Sequence, residues 1–280
     1  MNWVFLTLVY GLLKGAREIV KKESLKKSSV VEVLFFYTLF AFLMCIPASS
    51  DIALIDFKYL PAIFIKSLVI FIAWILSFRA IKSLPISIYG ILDLSRVLFA
   101  TLLGILVLRE TVTRNQVIGL VLVAAGLILL KRRKSDEAEG IKPLVVILAL
   151  ISCMLNAVSG LLDKILTHYV TPSQLQFYYM LFLSLLYLLY LIVDRSEVNI
   201  KSSVKNYWIW LLAIMFVIAD KALFVANADA NSKITIMTLI KQSGCIITIL
   251  AGKFIYKERN MLHKFICAAV IIAGIMIAVL

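Results

Sequence analysis

The stretch Pro85 to Leu130, PISIYGILDLSRVLFATLLGILVLRETVTRNQVIGLVLVAAGLILL, decides the fold. Two apolar runs are parted by the polar turn Arg109 to Arg114, and each is long enough to cross a bilayer core as a helix. Neither run alternates apolar with polar residues, which excludes a barrel strand. In lipid the backbone must then satisfy itself within the segment, as a helix does. The pattern returns near the end of the chain, from Lys233 to Leu280. An offset of 148 brings Ser95 onto Ser243, Gly104 onto Gly252, Glu110 onto Glu258, Ile118 onto Ile266 and Ala125-Gly126 onto Ala273-Gly274, with no gap. Matched Gly, Ser and Glu are harder to attribute to composition than matched Leu or Ile. A weaker match, at an offset of 145, brings Gly15 onto Gly160 and Glu18 onto Asp163.

Outward from that stretch the whole chain reads the same way. Of 280 residues, 62% are hydrophobic and 16% charged, and the mean hydropathy is +1.01, more apolar surface than a soluble protein can hide. Apolar runs between charged or Pro/Ser/Asn breaks predict ten helices, at 2–20, 31–49, 59–80, 86–108, 115–131, 143–167, 174–193, 207–228, 234–255 and 263–280. The longest polar connection, Lys131 to Lys142, lies near the midpoint. The expected domain division is a first five-helix repeat at 1–133, a charged linker at 134–142 and a second repeat at 143–280. Five is odd, so the two copies insert with opposite orientation, a recurring device of secondary transporters. The fold class is therefore an all-α polytopic membrane protein, ten transmembrane helices as two inverted five-helix repeats. The first run lacks a charged lead and a small-residue cleavage site, which predicts a retained helix.

The net charge of +13 is explained by topology before nucleic acid is invoked. Connections after odd-numbered helices share one face, and that face carries seventeen Lys and Arg against four on the other. The positive-inside rule places the odd connections in the cytoplasm and both termini outside, as expected for an integral protein of a prokaryotic plasma membrane.

Eight basic residues remain inside predicted helices: Lys14, Arg17, Lys66, Arg96, Lys164, Lys221, Lys241 and Lys253. Glu18, Asp93, Asp163 and Asp220 accompany them. An ionised group at that depth costs at least about 2.5 kcal/mol, so such groups need partners or a wet cavity. Lys14 with Glu18, and Asp93 with Arg96, share a helix face and are expected to neutralise each other. In Asp163-Lys164 and Asp220-Lys221 the neighbours diverge by about 100° around the helix, which predicts separate partners. Lys164 and Lys253, near helix ends, are expected to snorkel. Lys66 has no local partner and is expected to line water. Tyr89 lies one turn before Asp93, and Gln242 and Ser243 follow Lys241, which extends a hydrogen-bonding lining. Trp74, Tyr178, Tyr179, Trp208 and Trp210 read as interfacial anchors or packing residues.

Catalytic and metal-binding patterns are absent from the sequence: there is no nucleophile elbow, no Walker loop and no HExxH. Cys45, Cys153, Cys245 and Cys267 sit singly in apolar runs, without spacing to His168 or His263. The expectation is a non-enzyme with no cofactor and no nucleic-acid partner. Its partners are a small-molecule substrate, the surrounding lipid and a coupling proton or exchanged metabolite; the oligomeric state stays open.

With Arg109-Glu110, Gln116, Gly119 and Gly126 in the first copy, and Glu258 and Gly274 in the second, the chain resembles the EamA family of the drug/metabolite transporter superfamily. The second copy departs at Lys264 and Cys267, which stand where Gln116 and Gly119 map. The resemblance implies a basket of helices one to four and six to nine around a central cavity, with helices five and ten peripheral and the repeats rocking. Known relatives move amino acids, choline, nucleosides, nucleotide sugars or sugar phosphates. Phosphate-translocating relatives use bases on the fourth and ninth helices, where Arg96 and Lys241 fall; Gln242 stands where a second consecutive base is expected.

Deep bases outnumber deep acids, so the expected function is secondary transport of a small anionic or zwitterionic metabolite by alternating access. Lys14, Lys66, Tyr89, Arg96, Lys221, Lys241 and Gln242 are the candidate substrate-binding residues. Glu18, Asp93, Asp163 and Asp220 are the candidate coupling or charge-pairing acids. A flippase for a phosphorylated headgroup would use the same basic cavity with a lateral opening. A cation or drug exporter would need an unpaired acid.

Overall fold

The structure is a computed structural model that describes residues 3–48, 55–108, 113–132, 142–194, 200–229, 232, 237 and 240–279. Arg109-Glu110, Lys233 and residues 134–141 of the linker lie outside the described residues. The described helices are α1 (Trp3–Ser24), α2 (Val30–Cys45), α3 (Leu60–Ser83), α4 (Ile86–Asp93), α5 (Arg96–Leu108), α6 (Arg114–Arg132), α7 (Pro143–Leu166), α8 (Pro172–Asp194), α9 (Ile200–Lys205), α10 (Tyr207–Ala228), α11 (Gly244–Phe254) and α12 (Met261–Val279). The chain is an all-α polytopic membrane protein. Helices α4 and α5 together form the expected fourth span, and α11 is the second half of the ninth.

Local chemistry sets the helix starts. Ser29 and Glu32 close a capping box on α2. Thr171 and Gln174 close the equivalent box on α8, so two orphan backbone donors are satisfied at the start of the second span of each copy. Pro occupies the first turn of α3 and of α7, where its missing N–H costs nothing. The first helix runs to Ser24, beyond the expected end at 20, because Lys21 and Lys22 find partners there instead of water.

Packing follows a twofold rule. Helix α1 lies on α10 and α3 on α7; α5 lies on α7 and α1 on α11; α2 lies on α10 and α3 on α8. Each pair turns into its companion when the copies are exchanged. Of the remaining major pairs, α2 with α8 and α6 with α12 map onto themselves, and α4 with α11 joins span four to span nine, a pairing that maps onto itself at the level of whole spans. An aromatic core fills the space between α2, α3, α8 and α10, with Tyr37 edge-on to Phe216 at 5.2 Å and Trp74 at the same distance from that ring. Trp74 and Tyr179 are therefore buried packing residues. Large apolar side chains such as Ile72, Leu106, Val121 and Ile192 point outward, as a lipid-facing surface requires.

Helices α6 and α12 form a separate pair outside the aromatic core. A Cβ on Gly126 would meet the Cys267 carbonyl at 3.2 Å, and one on Gly274 would meet the Gly119 carbonyl at 2.8 Å. These repeat-equivalent glycines are used for internal close approach of the two helices.

One expectation needs correction. Spans four and nine are not continuous helices: each breaks, at Leu94-Ser95 and at Gln242-Ser243, positions separated by the repeat offset of 148. At each break the backbone tightens to i→i−3 bonding, with Ser95 N–H donating to Leu92 and Ser243 N–H to Ile240.

Candidate transport site

Helix α1 presents Tyr10, Lys14 and Arg17 at spacings of four and three, one face directed at the breaks and at α10. Asp93, the last residue of α4, accepts from two bases: Lys14 Nζ at 2.5 Å and Arg96 Nη2 at 2.8 Å. The remaining acids are tied across the copies. Arg17 reaches Asp220 of α10 at 3.3 Å, and Lys66 of α3 reaches Asp163 of α7 at 3.1 Å. Exchange of the copies maps the first pair of spans onto the second, with the charges reversed.

Aromatic faces complete the coordination of these bases. The Lys66 ammonium lies 3.2 Å from the centre of the Tyr179 ring, and the Arg17 guanidinium 4.9 Å from that of Phe216. Desolvated cation–π contacts of this kind reach about 2 kcal/mol or more. Lys66 is thus buried and paired, not lining water as its isolation in sequence suggests.

Lys241 is different. It stands just before the second break, at the repeat position of Asp93, with Tyr10 as its aromatic neighbour at 5.7 Å. It feels Asp163 and Asp220 together with Lys14 and Arg96. Among the described residues no carboxylate stands within ion-pair distance of it. The central group comprises Lys14, Arg17, Lys66, Arg96 and Lys241 against Asp93, Asp163 and Asp220, five bases to three acids, an excess of two positive charges.

Other predicted residues take other places. Glu18 pairs with Lys21 at 2.7 Å, not with Lys14, because Asp93 offers Lys14 a buried carboxylate. The Tyr89 hydroxyl is 2.6 Å from Ser77 Oγ and so is engaged by α3. Gln242 is buried at the second break. Lys221 hydrogen-bonds Ser173 at the start of α8. Lys164, near the end of α7, donates to the Asn227 carbonyl and to Ser232 Oγ, both at 2.7 Å. Tyr10 and Arg17 stand outside the substrate-binding candidates read from the sequence. Their spacing from Lys14 is the signal that places all three on one face.

On the side of the odd-numbered connections, contacts tie the two copies together. Glu258, after α11, accepts from the Ile86 N–H at 2.7 Å, from the Ser87 hydroxyl and from Lys264 at 2.9 Å, and so caps α4 across the copies. Tyr256 donates to Glu23 at 2.7 Å, and Asn206 donates to the Ser24 carbonyl at 3.1 Å. Between α1, α4 and α11 a small cavity remains, bordered by Lys14, Glu18, Asp93, Gly244 and Thr248.

Two repeats tied through a charged midplane are a transporter architecture, and family comparison decides which. A model of the EamA-like transporter family matches residues 1–132 and again 143–280. The chain belongs to that family. As an EamA-like protein it is a membrane transporter of the drug/metabolite superfamily. The EamA-like chain superposes on a solved crystal structure with a TM-score of 0.70 at 14% identity, over 99% of this chain and 96% of the other. At that identity the likeness is one of fold. No curated protein matches the EamA-like sequence.

Proposed function

We propose that this transporter carries a small anionic or zwitterionic metabolite by alternating access, with both termini outside a prokaryotic plasma membrane. The observation that carries the reading is Lys241, a base at the second helix break that has no carboxylate within ion-pair distance among the described residues. Arg96 and Lys14 share the single carboxylate of Asp93 on the other side. A substrate oxyanion would use the two charges in excess, the Arg96 guanidinium giving bidentate recognition and the Lys241 ammonium a point charge. Asp93 would hold Lys14 and Arg96 between transport cycles. The contacts across the face of odd connections support a state closed to the cytoplasm, and breaking the Glu258 cap would accompany the rocking of the copies.

The test is thermal stabilisation of the purified protein against metabolites grouped by charge. A ligand at 100 times its dissociation constant adds about 2.7 kcal/mol. Anions are expected to stabilise the protein, and Lys241→Gln to abolish the effect. Stabilisation by organic cations alone would overturn the reading.

A further inference from the structure

Helix α7 carries its lipid face on one stripe, where Leu144, Ile147, Ile151, Met154 and Ile165 are exposed. Its opposite face makes the contacts of the site: Cys153 to the Leu92 carbonyl and Asp93, and Asp163 to Lys66. At about 100° per residue, Gly160 lies about 20° around the helix from Cys153 and about 60° from Asp163, and at least about 120° from every member of the lipid stripe. Gly160 therefore belongs to the inner face. Yet it is exposed, and a Cβ built on it would meet nothing within 4 Å among the described residues. An exposed position on the inward face of a bundle helix borders space within the bundle. Asn156, one turn earlier on that face, turns its amide back onto the Ser152 carbonyl at 2.7 Å, away from Gly160.

The first copy closes the equivalent place. A Cβ on Gly15, the repeat mate of Gly160, would meet the Gly244 Cα at 2.7 Å. The repeat mate of Gly244 is Arg96, whose side chain is 22% exposed. Where the first copy closes with two glycines, the second has open space beside α7 and a guanidinium on the facing span. The Lys241 ammonium interacts electrostatically with both Arg96 and Asp163. Two bases can hold an oxyanion but cannot tell apart molecules that share one; that discrimination falls to the walls around the rest of the molecule.

We propose that Gly160 is a specificity-determining residue: the body of the transported anion, the part beyond its carboxylate or phosphate, lies against the bare backbone of α7 at Gly160 while Arg96 and Lys241 hold the charge. The proposal deepens the anion reading above and rests on it. A side chain at Gly160 would leave the charged end its bases and take the room of the body.

The experiment uses the full chain in detergent micelles, read by thermal stabilisation. Inorganic phosphate and acetate serve as small anions, glucose 6-phosphate and glutamate as anions with a larger body. In Gly160→Leu the small anions should stabilise as in the parent, while overpacking should weaken the larger ones roughly tenfold to a hundredfold. Gly160→Ala should show the same order with a smaller loss, and serves if the leucine variant does not fold. Met154→Leu, on the lipid stripe, should bind every anion as the parent does. In a second measurement, Gly160→Cys should react with a charged, water-soluble thiol reagent faster than Met154→Cys, and a larger anion should slow it; the four native cysteines are buried, so the parent gives the background. A Gly160→Cys rate no higher than that of Met154→Cys overturns the proposal, because no water then reaches Gly160. Small and large anions weakened alike in both Gly160 variants, or neither weakened, also overturns it; if Lys241→Gln still abolishes stabilisation, the anion carrier stands. If no anion stabilises the parent protein, both fall together.

Discussion

Lys66 and Asp163 meet at 3.1 Å from opposite copies of the repeat, with the ammonium laid on the face of Tyr179. Both are buried, so the pair is held where neither member can recruit water. Removing one partner leaves an uncompensated buried charge, at a cost of about 3–5 kcal/mol, whereas an apolar replacement of both is often neutral or better.

Lys66→Met and Asp163→Leu are therefore each expected to lower the melting temperature strongly in detergent, and the double variant to recover most of the loss. A double variant no better than the worse single one would show that the two residues are not energetically coupled.

Glycines at equivalent positions of the repeat should respond differently to the same substitution. A Cβ on Gly15 would press on the backbone of Gly244, with its Cα at 2.7 Å, while nothing lies within 4 Å of one on Gly160. Gly15→Ala is expected to destabilise by about 1–3 kcal/mol. Gly160→Ala should be neutral or slightly stabilising, since alanine is the better helix former. Parallel thermal melts of the two variants check the contrast, and equal losses would refute it.

Asp93→Asn would leave Lys14 and Arg96 without their shared carboxylate. The variant should melt earlier than the parent, yet gain more from added inorganic phosphate, because the free anion takes the place of the lost side chain. Phosphate titrations of both melts measure this; equal gains would mean that Asp93 does not stand in for substrate.

Glu258→Ala removes the acceptor for the Ile86 N–H, the Ser87 hydroxyl and Lys264. Loss of a cap costs about 0.5–2 kcal/mol, and Lys264 loses its 2.9 Å contact with the carboxylate as well. If the cap also seals the side of the odd-numbered connections, Ser87→Cys in this variant should react faster with a membrane-impermeant thiol reagent than in the parent background. Protection unchanged by the substitution would deny Glu258 a sealing role.

The spans were legible in the sequence because bilayer thickness and backbone satisfaction leave little choice once apolar runs are found. The repeat was legible in its glycines, serines and glutamates. What escaped was whatever depended on long-range contact. Lys66 looked solitary because its counter-ion lies in the other copy, and Glu18 looked like the partner of Lys14 because the i,i+4 rule knows nothing of Asp93. The helix breaks escaped as well: Leu94-Ser95 and Gln242-Ser243 contain no Pro or Gly, and the apolar run continues through both. Only the paired serines at one repeat offset marked the place.

The crossed ion pairs also make the two halves of the chain unequal partners. Lys66 and Arg17, the bases of these contacts, come from the first half, and Asp163 and Asp220, the acids, from the second. The first half also keeps Glu18, at the position equivalent to Asp163. Two first halves brought together would still possess a base and an acid for the contact between span one and span three. Two second halves would set Asp163 against Asp220 at that contact, acid against acid. The two halves are thus not interchangeable at these contacts: the bases stand in the first half and the acids in the second.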